Sequence, residues 1–248
     1  MNDVVHVSYP QPEVAVIAME DRVNNNTFTE KLQLGIKEAF ESIEANPLVK
    51  VVITHGYDNY YLCGAERKGL LELTKGEKTF ADFDFYMKPL TCKVPTIAAV
   101  QGHAIGDGLS FACLHDFIFL ASGVIYSANF LKYGFTPCMG SSYTIPKHFG
   151  ANCGYHMLYT AKQYDRDELQ SLDCLLPFYP KNEVIEHSLQ LAKDISDKTM
   201  TSVKLLKEQL SAQTRRILPH IIDKEVAMQV AIMTTDEVKN RIRDAYGE

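Results

Sequence analysis

The stretch QGHAIGDGLS, residues 101–110, decides how this chain is interpreted. It follows a strand-like run at 96–100, TIAAV, and leads into a helix-like run. Glycines between a strand and a helix indicate that the backbone comes close to another group. An aspartate, Asp107, lies between Gly106 and Gly108, where a backbone N–H would be expected to meet an oxyanion. The stretch raises the question of why a negative charge occupies this position.

A second glycine turn, Cys63-Gly64-Ala65, has the same context, after a strand and before a helix. Backbone N–H groups at the starts of two helices can converge on one carbonyl oxygen, and the helix dipoles add to the attraction. Such a pair is an oxyanion hole, which stabilises the enolate of a thioester. Glycine alone favours the plainer interpretation, in which both are ordinary strand-to-helix turns.

The composition is that of an ordinary globular protein, with 46% hydrophobic and 23% charged residues among 248. One main domain with an appendage fits this length better than two equal domains. The net charge is −6, and the sequence has no basic block or arginine-rich run. We therefore expect neither nucleic acid nor a membrane as a partner, whereas a local basic patch for a phosphate-bearing carrier stays compatible.

The six cysteines form no C-x-x-C pair and no Cys/His cluster with zinc spacing, so no metal site is predicted. That many free thiols favour a reducing compartment. The amino terminus has neither a basic start nor a long apolar stretch, and no window approaches about 18 continuous apolar residues. We expect a cytoplasmic protein without a signal peptide or a transmembrane helix.

Strand and helix patterns alternate through about the first 175 residues, which predicts α/β units. Apolar residues at helical spacing predict a helix at 28–43, and the weakly patterned stretch 66–81 predicts a fraying helix or a mobile loop. Strands are predicted at 14–19, 50–55, 96–100, 117–121 and 125–128.

After Pro180 the pattern becomes entirely helical, and Pro219 is compatible with the start of one of these helices. This tail is too small for an independent domain, so we expect its apolar residues to pack on the core or on a neighbouring subunit. The predicted helices cover 183–198, 202–213, 218–233 and 235–246.

Three segments resemble the crotonase (enoyl-CoA hydratase/isomerase) superfamily: YLCGAE at 61–66, PTIAAVQGHAIGDG at 95–108 and YSANFLKYGFTP at 126–137. The last is most similar to the decarboxylases of the β-branching cassettes in polyketide assembly lines. The resemblance implies an α/β fold, a crotonase-like spiral of ββα units at 1–180, with a helical C-terminal oligomerisation region at 181–248.

The same resemblance implies an activity and partners. The activity is decarboxylation of a 3-methylglutaconyl-type thioester held on an acyl carrier protein through its phosphopantetheine arm, with no cofactor. The expected assembly is a homotrimer or a dimer of trimers.

By position, the resemblance makes the N–H groups of Ala65 and Asp107 the two oxyanion donors. The two glutamates with which hydratases activate water fall at Ser110 and Phe130, which cannot act as acid or base. Hydration is therefore not expected. The substrate-binding candidates around the turns are Gly64, Gly106, Gly108, His103, which supports the loop, and Tyr133, which lines the acyl pocket or packs in the core.

Loss of CO₂ from the vinylogous acid leaves a dienolate, whose charge an oxyanion hole delocalises. The resemblance implies a lysine near the leaving carboxylate and a histidine on a late helix as proton donor. The aligned positions here are Leu73 and Gln229, so we name Lys75 and Lys78 as candidates to replace the lysine, and Gln229 as the residue at the donor position.

Two further departures fall in the same expected pocket, because Asp107 and Cys138 both stand where the relatives have glycine. A carboxylate about 4 Å from a developing oxyanion would cost roughly 4 kcal/mol at an effective dielectric constant of about 20. Since only the backbone N–H of Asp107 is needed, we expect its side chain to turn outward and cap the following helix.

Two alternatives to the decarboxylase stay open from the sequence. An enoyl-thioester double-bond isomerase would need Asp107 or a loop lysine to shuttle a proton. A degenerate paralogue would bind the carrier protein or other subunits without catalysis, and departures such as those at Asp107, Cys138 and Gln229 would mark it.

Overall fold

β-Strands and helices alternate along the chain in a computed structural model, which describes residues 3–75 and 83–246. The strands of the described part form two sheets. They are β1 (Val5–Gln11), β2 (Val14–Met19), β3 (Val51–His55), β4 (Tyr60–Leu62), β5 (Thr96–Val100), β6 (His103–Ile105), β7 (Phe117–Ala121), β8 (Tyr126–Ser127) and β9 (Phe178–Tyr179).

The larger sheet has the order β1-β2-β3-β5-β7-β9. β1 and β2 are antiparallel, and every later neighbour is parallel. All five residues of β5 are buried, as expected for a strand of a parallel sheet that is covered on both faces. The predicted strands at 14–19, 96–100 and 117–121 are confirmed.

The smaller sheet has the order β4-β6-β8, with parallel neighbours. Its strands are only two or three residues long. This sheet positions the candidate site, since β4 and β6 lead directly into the two glycine turns.

Helices cover the strands. The first, α1 (Glu30–Glu44), begins after Thr29, whose hydroxyl accepts a hydrogen bond from the N–H of Leu32 at 3.2 Å. Its apolar residues at helical spacing are buried, as predicted. The next helices are α2 (Arg67–Thr74), α3 (Lys88–Thr91), α4 (Asp107–Ala112), α5 (Ser141–Phe149), α6 (Ala151–Thr160) and α7 (Arg166–Ser171), with 3₁₀ turns at Phe85–Met87 and Asn129–Tyr133.

The tail is helical, as predicted, and comprises a 3₁₀ turn (Lys181–Glu183), α8 (Val184–Ser196), α9 (Met200–Ile232) and α10 (Asp236–Tyr246). The prediction that Pro219 starts a helix is wrong, because α9 runs through it. Buried side chains recur every three or four residues on both sides of Pro219, and the adjacent Leu218 is fully buried. This continuous packing outweighs the one backbone hydrogen bond that proline cannot make.

The stretch predicted as a fraying helix or mobile loop begins with α2, and residues 76–82 lie outside the described part, including Lys78. Among the described residues, no helix is long and apolar enough to cross a membrane. Among the same residues, no group of three or more His, Cys, Asp or Glu side chains is placed so that it could hold a metal ion.

Candidate active site

The two glycine turns lie side by side because β4 and β6 are parallel neighbours. Carboxyl ends of adjacent parallel strands meet at one edge of a sheet, about 4.8 Å apart. Gly64 and Gly106 have φ angles of 79° and 55°, in the left-handed region that favours glycine. A Cβ on Gly64 would lie 3.0 Å from the carbonyl oxygen of Ile105 and 3.8 Å from the backbone nitrogen of Asp107. The turns are therefore in contact through backbone atoms.

Each turn presents a backbone N–H group that has no acceptor in the described part of the chain. Within residues 3–75 and 83–246, nothing accepts a hydrogen bond from the N–H of Ala65 or of Asp107. Asp107 is the first residue of α4, where an N–H has no partner within the helix. Two free donors on adjacent turns are what an oxyanion hole requires.

Two small cavities meet at these donors, since Ala65 and Asp107 line both. One cavity also contacts Tyr86 and Met139 and continues into a surface cavity of about 320 Å³, with which it shares Phe28, Gln33, Glu66, Gly69, Phe83 and Phe85. The other is lined in addition by Cys63, Gly64, Leu70, Gly106, Asn129, Phe130, Tyr133 and Phe135. Ala65 and Asp107 thus lie between a channel to the surface and an inner compartment whose lining includes Phe130, Tyr133 and Phe135.

The expectation that the Asp107 side chain turns outward is wrong. The residue is only 6% exposed, its carboxylate makes no capping bond to α4, and Oδ1 accepts a hydrogen bond from Sγ of Cys138 at 2.8 Å. The carboxylate therefore bonds to the buried thiol of Cys138 and not to the N-terminus of α4. Burial, together with the nearby Glu225, raises the pKa of Asp107 to about 6, against the lowering effect of Cys138.

Cys138 is a thiol rather than a thiolate in this setting. Burial raises its pKa well above the usual value, and the charges of Asp107 and Glu225 add to that effect. The thiol therefore keeps its proton and donates it in the bond to Asp107. This argues against the use of Cys138 as a nucleophile, since the thiolate is the nucleophilic form.

Glu225, on α9, is a buried carboxyl that sequence reasoning missed. Its Oε2 accepts a hydrogen bond from the N–H of Gly140 at 2.7 Å, and Oε1 accepts from the N–H of Ser142 at 2.8 Å and from its hydroxyl at 2.5 Å. Glu225 thereby caps the start of α5 and holds the loop that carries Cys138. Nothing in the local sequence distinguishes it from a solvated helix glutamate.

Gln229 lies one turn after Glu225 on α9 and is also buried. Its Nε2 donates to the carbonyl oxygens of Thr136 at 3.2 Å and Pro137 at 3.4 Å. The structure therefore brings the three departures from the family pattern together, with Gln229 behind Cys138 and Cys138 against Asp107. Gln229 does not line the cavities at the turns.

Other predicted residues divide into those at the cavities and those behind them. Tyr133 lines the inner compartment and stacks on Phe135, with ring centroids 5.9 Å apart. His103 does not line the cavities, and its Nδ1 accepts a hydrogen bond from the N–H of Ile125 at 2.9 Å. Gly108 packs against β4, where an added Cβ would lie 2.1 Å from the carbonyl oxygen of Leu62. His103 and Gly108 therefore shape the second turn from behind.

The positions of the hydratase glutamates carry no acid or base. Ser110 is fully buried and its hydroxyl donates to the carbonyl oxygen of Gly106 at 3.2 Å. Phe130 is buried and lines the inner compartment. Neither side chain can activate water, in agreement with the sequence prediction.

Neither lysine candidate is seen at the turns in the described part of the chain. Lys75 is exposed after the end of α2 and does not line the cavities described above. Lys78 is outside the described residues. Lys37 and Lys68 line the surface cavity instead, together with Glu30, Glu66, Glu72 and Asp84.

Fold and site together place two turns with free backbone N–H groups, at Ala65 and Asp107, beside the same cavities. The sequence pattern of the Enoyl-CoA hydratase/isomerase family matches residues 10–248. The chain belongs to this family.

Within the family, the chain is similar to decarboxylases. It is 35% identical over 246 residues to bacillaene synthase decarboxylase PksI from Bacillus subtilis, covering 99% of both chains. It is also similar to a solved structure from a dehydratase/decarboxylase enzyme couple involved in polyketide β-branching, with a TM-score of 0.96, 35% identity and coverage of 99% and 100%. The ECH2 decarboxylase domain of CurF from Lyngbya majuscula matches with a TM-score of 0.94, 31% identity and coverage of 98% and 100%. These similarities support a decarboxylase, a carbon–carbon lyase, and do not favour the alternatives.

Proposed function

We propose that this protein decarboxylates a 3-methylglutaconyl-type thioester carried by an acyl carrier protein during polyketide β-branching. The observation that carries the proposal is the pair of free N–H groups of Ala65 and Asp107 between an outer channel and an inner compartment. Full-length similarity to decarboxylases of this pathway supports it.

The reaction needs a sink for one electron pair. When the bond between the carboxyl carbon and C4 breaks, CO₂ leaves and the electrons delocalise through the double bond onto the thioester oxygen. The N–H groups of Ala65 and Asp107 stabilise this dienolate, and loss of one such donor costs typically 10²–10³-fold in kcat. The inner compartment, with Phe130, Tyr133 and Phe135, excludes water from the carbanion.

The surface cavity is where we place the phosphopantetheine arm. This cavity shares lining residues with the channel that leads to the turns. Lys37 and Lys68 also line it. Lys37 is held by Asp84, with Nζ and Oδ2 2.7 Å apart, whereas Lys68 makes no ion pair with the described residues. Among the described lining residues, Lys68 is therefore the cation available to the phosphate of the arm.

The cation that orients the leaving carboxylate is assigned to Lys75 or Lys78, the lysines near the family position. Lys75 lies just after the end of α2, and Lys78 lies in the stretch 76–82, between the two described ranges. The single variants Lys75→Met and Lys78→Met distinguish the two candidates. The variant that removes the cation beside the leaving carboxylate is expected to lose turnover.

We also propose a homotrimer or a dimer of trimers built on the helical region 181–248. Exposed apolar side chains on α9 support a buried role in an assembly. They are Leu205, Leu206, Leu210, Met228 and Val230, which are 42–69% exposed in the single chain. Sedimentation equilibrium of the purified protein tests this, and a monomer at micromolar concentration would contradict it.

The test of the function is an intact-mass measurement of the carrier protein. The enzyme is incubated with 3-methylglutaconyl carrier protein, and the acylated carrier is expected to lose the mass of one CO₂. An unchanged mass with a new ultraviolet absorption would mean double-bond migration instead. Unchanged mass and absorption with retained carrier binding would mean a non-catalytic paralogue, and either result contradicts the proposal.

A further inference from the structure

The carboxyl group of Asp107 faces the reaction cavity. The residue lines both compartments at the turns, and Oδ1 is occupied by the thiol of Cys138 at 2.8 Å. Among the described residues, Oδ2 of Asp107 has no hydrogen-bond partner. It is nevertheless not fully buried, because the fully buried polar side-chain atom without a partner in the described part is Oγ1 of Thr136. Oδ2 therefore retains its exposed surface towards the cavity, beside the N–H that binds the thioester oxygen.

Burial and the nearby Glu225 favour the neutral form of this carboxyl, against the hydrogen bond from Cys138, which favours the carboxylate. Cys138 contacts it from the loop before α5, Glu225 acts on it from α9, and Tyr86 approaches from the 3₁₀ turn at Phe85–Met87. Within the described ranges, Asp107 forms no ion pair with a lysine or an arginine. A buried carboxyl next to a second carboxyl and without a cation holds its proton more tightly than an exposed one.

We propose that the protonated side chain of Asp107 is the acid that delivers a proton to the carbon of the dienolate. This inference rests on the proposed function, because it assigns the step that follows the loss of CO₂. It makes Asp107 a residue with two roles, in which its N–H holds the oxygen and its carboxyl quenches the carbanion.

The step balances in atoms and charge. The C–C bond breaks, its electron pair enters the dienolate and CO₂ departs. The dienolate carbon then takes the proton from Oδ2, a C–H bond forms, and the electron pair of the O–H bond stays on Asp107 as a carboxylate. Water returns one proton to Asp107 before the next cycle, so each turnover consumes one substrate carboxylate and one proton.

Cys138 has a positioning role in this step. Its thiol donates to Oδ1, which orients the carboxyl plane and leaves the acidic proton for Oδ2. The same bond stabilises the carboxylate that forms after proton transfer. Gln229 does not replace Asp107 as the donor, because an amide does not ionise and its Nε2 is bound to the carbonyl oxygens of Thr136 and Pro137.

The experiment compares Asp107→Asn with the wild-type enzyme on 3-methylglutaconyl carrier protein. Asp107→Asn keeps the backbone N–H and the side-chain shape, but removes the acid. We expect kcat to fall by about 10²-fold or more, the range of general acid catalysis, with a smaller change in KM. The wild-type kcat is expected to fall as pH rises through the pKa of Asp107, and Asp107→Asn is expected to lose that limb. Asp167→Asn, at an exposed position on α7, is the matched control with unchanged kcat.

Two results would overturn the inference. One is an Asp107→Asn variant with kcat within about threefold of wild type and the same pH limb. The other is an Asp107→Gly variant, which has the residue of the relatives, with full activity. Circular dichroism checks that each variant is folded. If Asp107→Asn does not fold, Asp107→Gly is the variant that tests the inference. Failure of the wild type to release CO₂ would instead refute the proposed function, so the two failures are distinguishable.

Discussion

A Cβ on Gly64 would stand 3.8 Å from the backbone nitrogen of Asp107, so the turn after β4 directly contacts the turn after β6. This contact sets the spacing of the two candidate oxyanion donors. The parallel pairing of β4 with β6 produces it, and the positive φ angles of Gly64 and Gly106 make it possible.

Gly64→Ala is expected to reduce decarboxylation by at least about tenfold. The new methyl would lie 3.0 Å from the carbonyl oxygen of Ile105 and would push the turns apart, and a donor displaced by about 1 Å loses much of its effect. Steady-state release of CO₂ measures this. Gly123→Ala is the matched control, since Gly123 has the same φ sign but nothing within 4 Å of its Cβ position. Equal losses in both variants would mean that backbone strain alone, and not the contact, is responsible.

Glu225→Gln is expected to destabilise the protein by about 1–3 kcal/mol, the cost of leaving a buried donor without an acceptor. The amide can keep one acceptor oxygen, whereas both oxygens of Glu225 accept hydrogen bonds from the start of α5. Urea unfolding measures the change. Glu208→Gln, at an exposed position of the same helix, is expected to change stability by less than about 0.5 kcal/mol. A Glu225→Gln variant as stable as this control would contradict the capping role.

Asp107→Asn is expected to gain stability relative to wild type as pH rises. The pKa of Asp107 is raised to about 6 in the folded protein from an ordinary value of 3.8. The folded state therefore binds more protons than the unfolded state between these values, and wild-type stability falls as pH rises through that window. At roughly 1.4 kcal/mol per pKa unit, the difference amounts to about 3 kcal/mol between pH 3.5 and pH 7. Urea unfolding of both proteins at several pH values measures it, and a pH-independent difference would place the pKa at its ordinary value.

Local patterns predicted the framework well. Continuous apolar runs define β2, β5 and β7, because strands covered on both faces contain little else. The two glycine turns were predicted because a left-handed backbone angle restricts the residue type at one position. The strands of the smaller sheet, β4, β6 and β8, are too short to show a period.

Interactions between distant residues were not predictable in the same way. Asp107 turns inward because of Cys138, 31 positions later, and Cys138 is held by a loop that Glu225 caps from α9. When only neighbouring residues are considered, an aspartate at the start of a helix is expected to cap that helix with its side chain. Pro219 shows the same limit, since its local signal for a helix start is overridden by packing along α9.

The measurement that tests the central claim most directly is the infrared absorption of a bound thioester carbonyl. A 3-methylglutaryl carrier protein with an isotope-labelled thioester carbonyl lacks the double bond that permits decarboxylation, so it binds without reacting. If the N–H groups of Ala65 and Asp107 share the thioester oxygen, the carbonyl band moves to lower frequency on binding to the wild type. In Ala65→Pro, which lacks one donor, most of that shift is expected to be lost. An unshifted band in the wild type, or an equal shift in Ala65→Pro, would contradict the oxyanion hole.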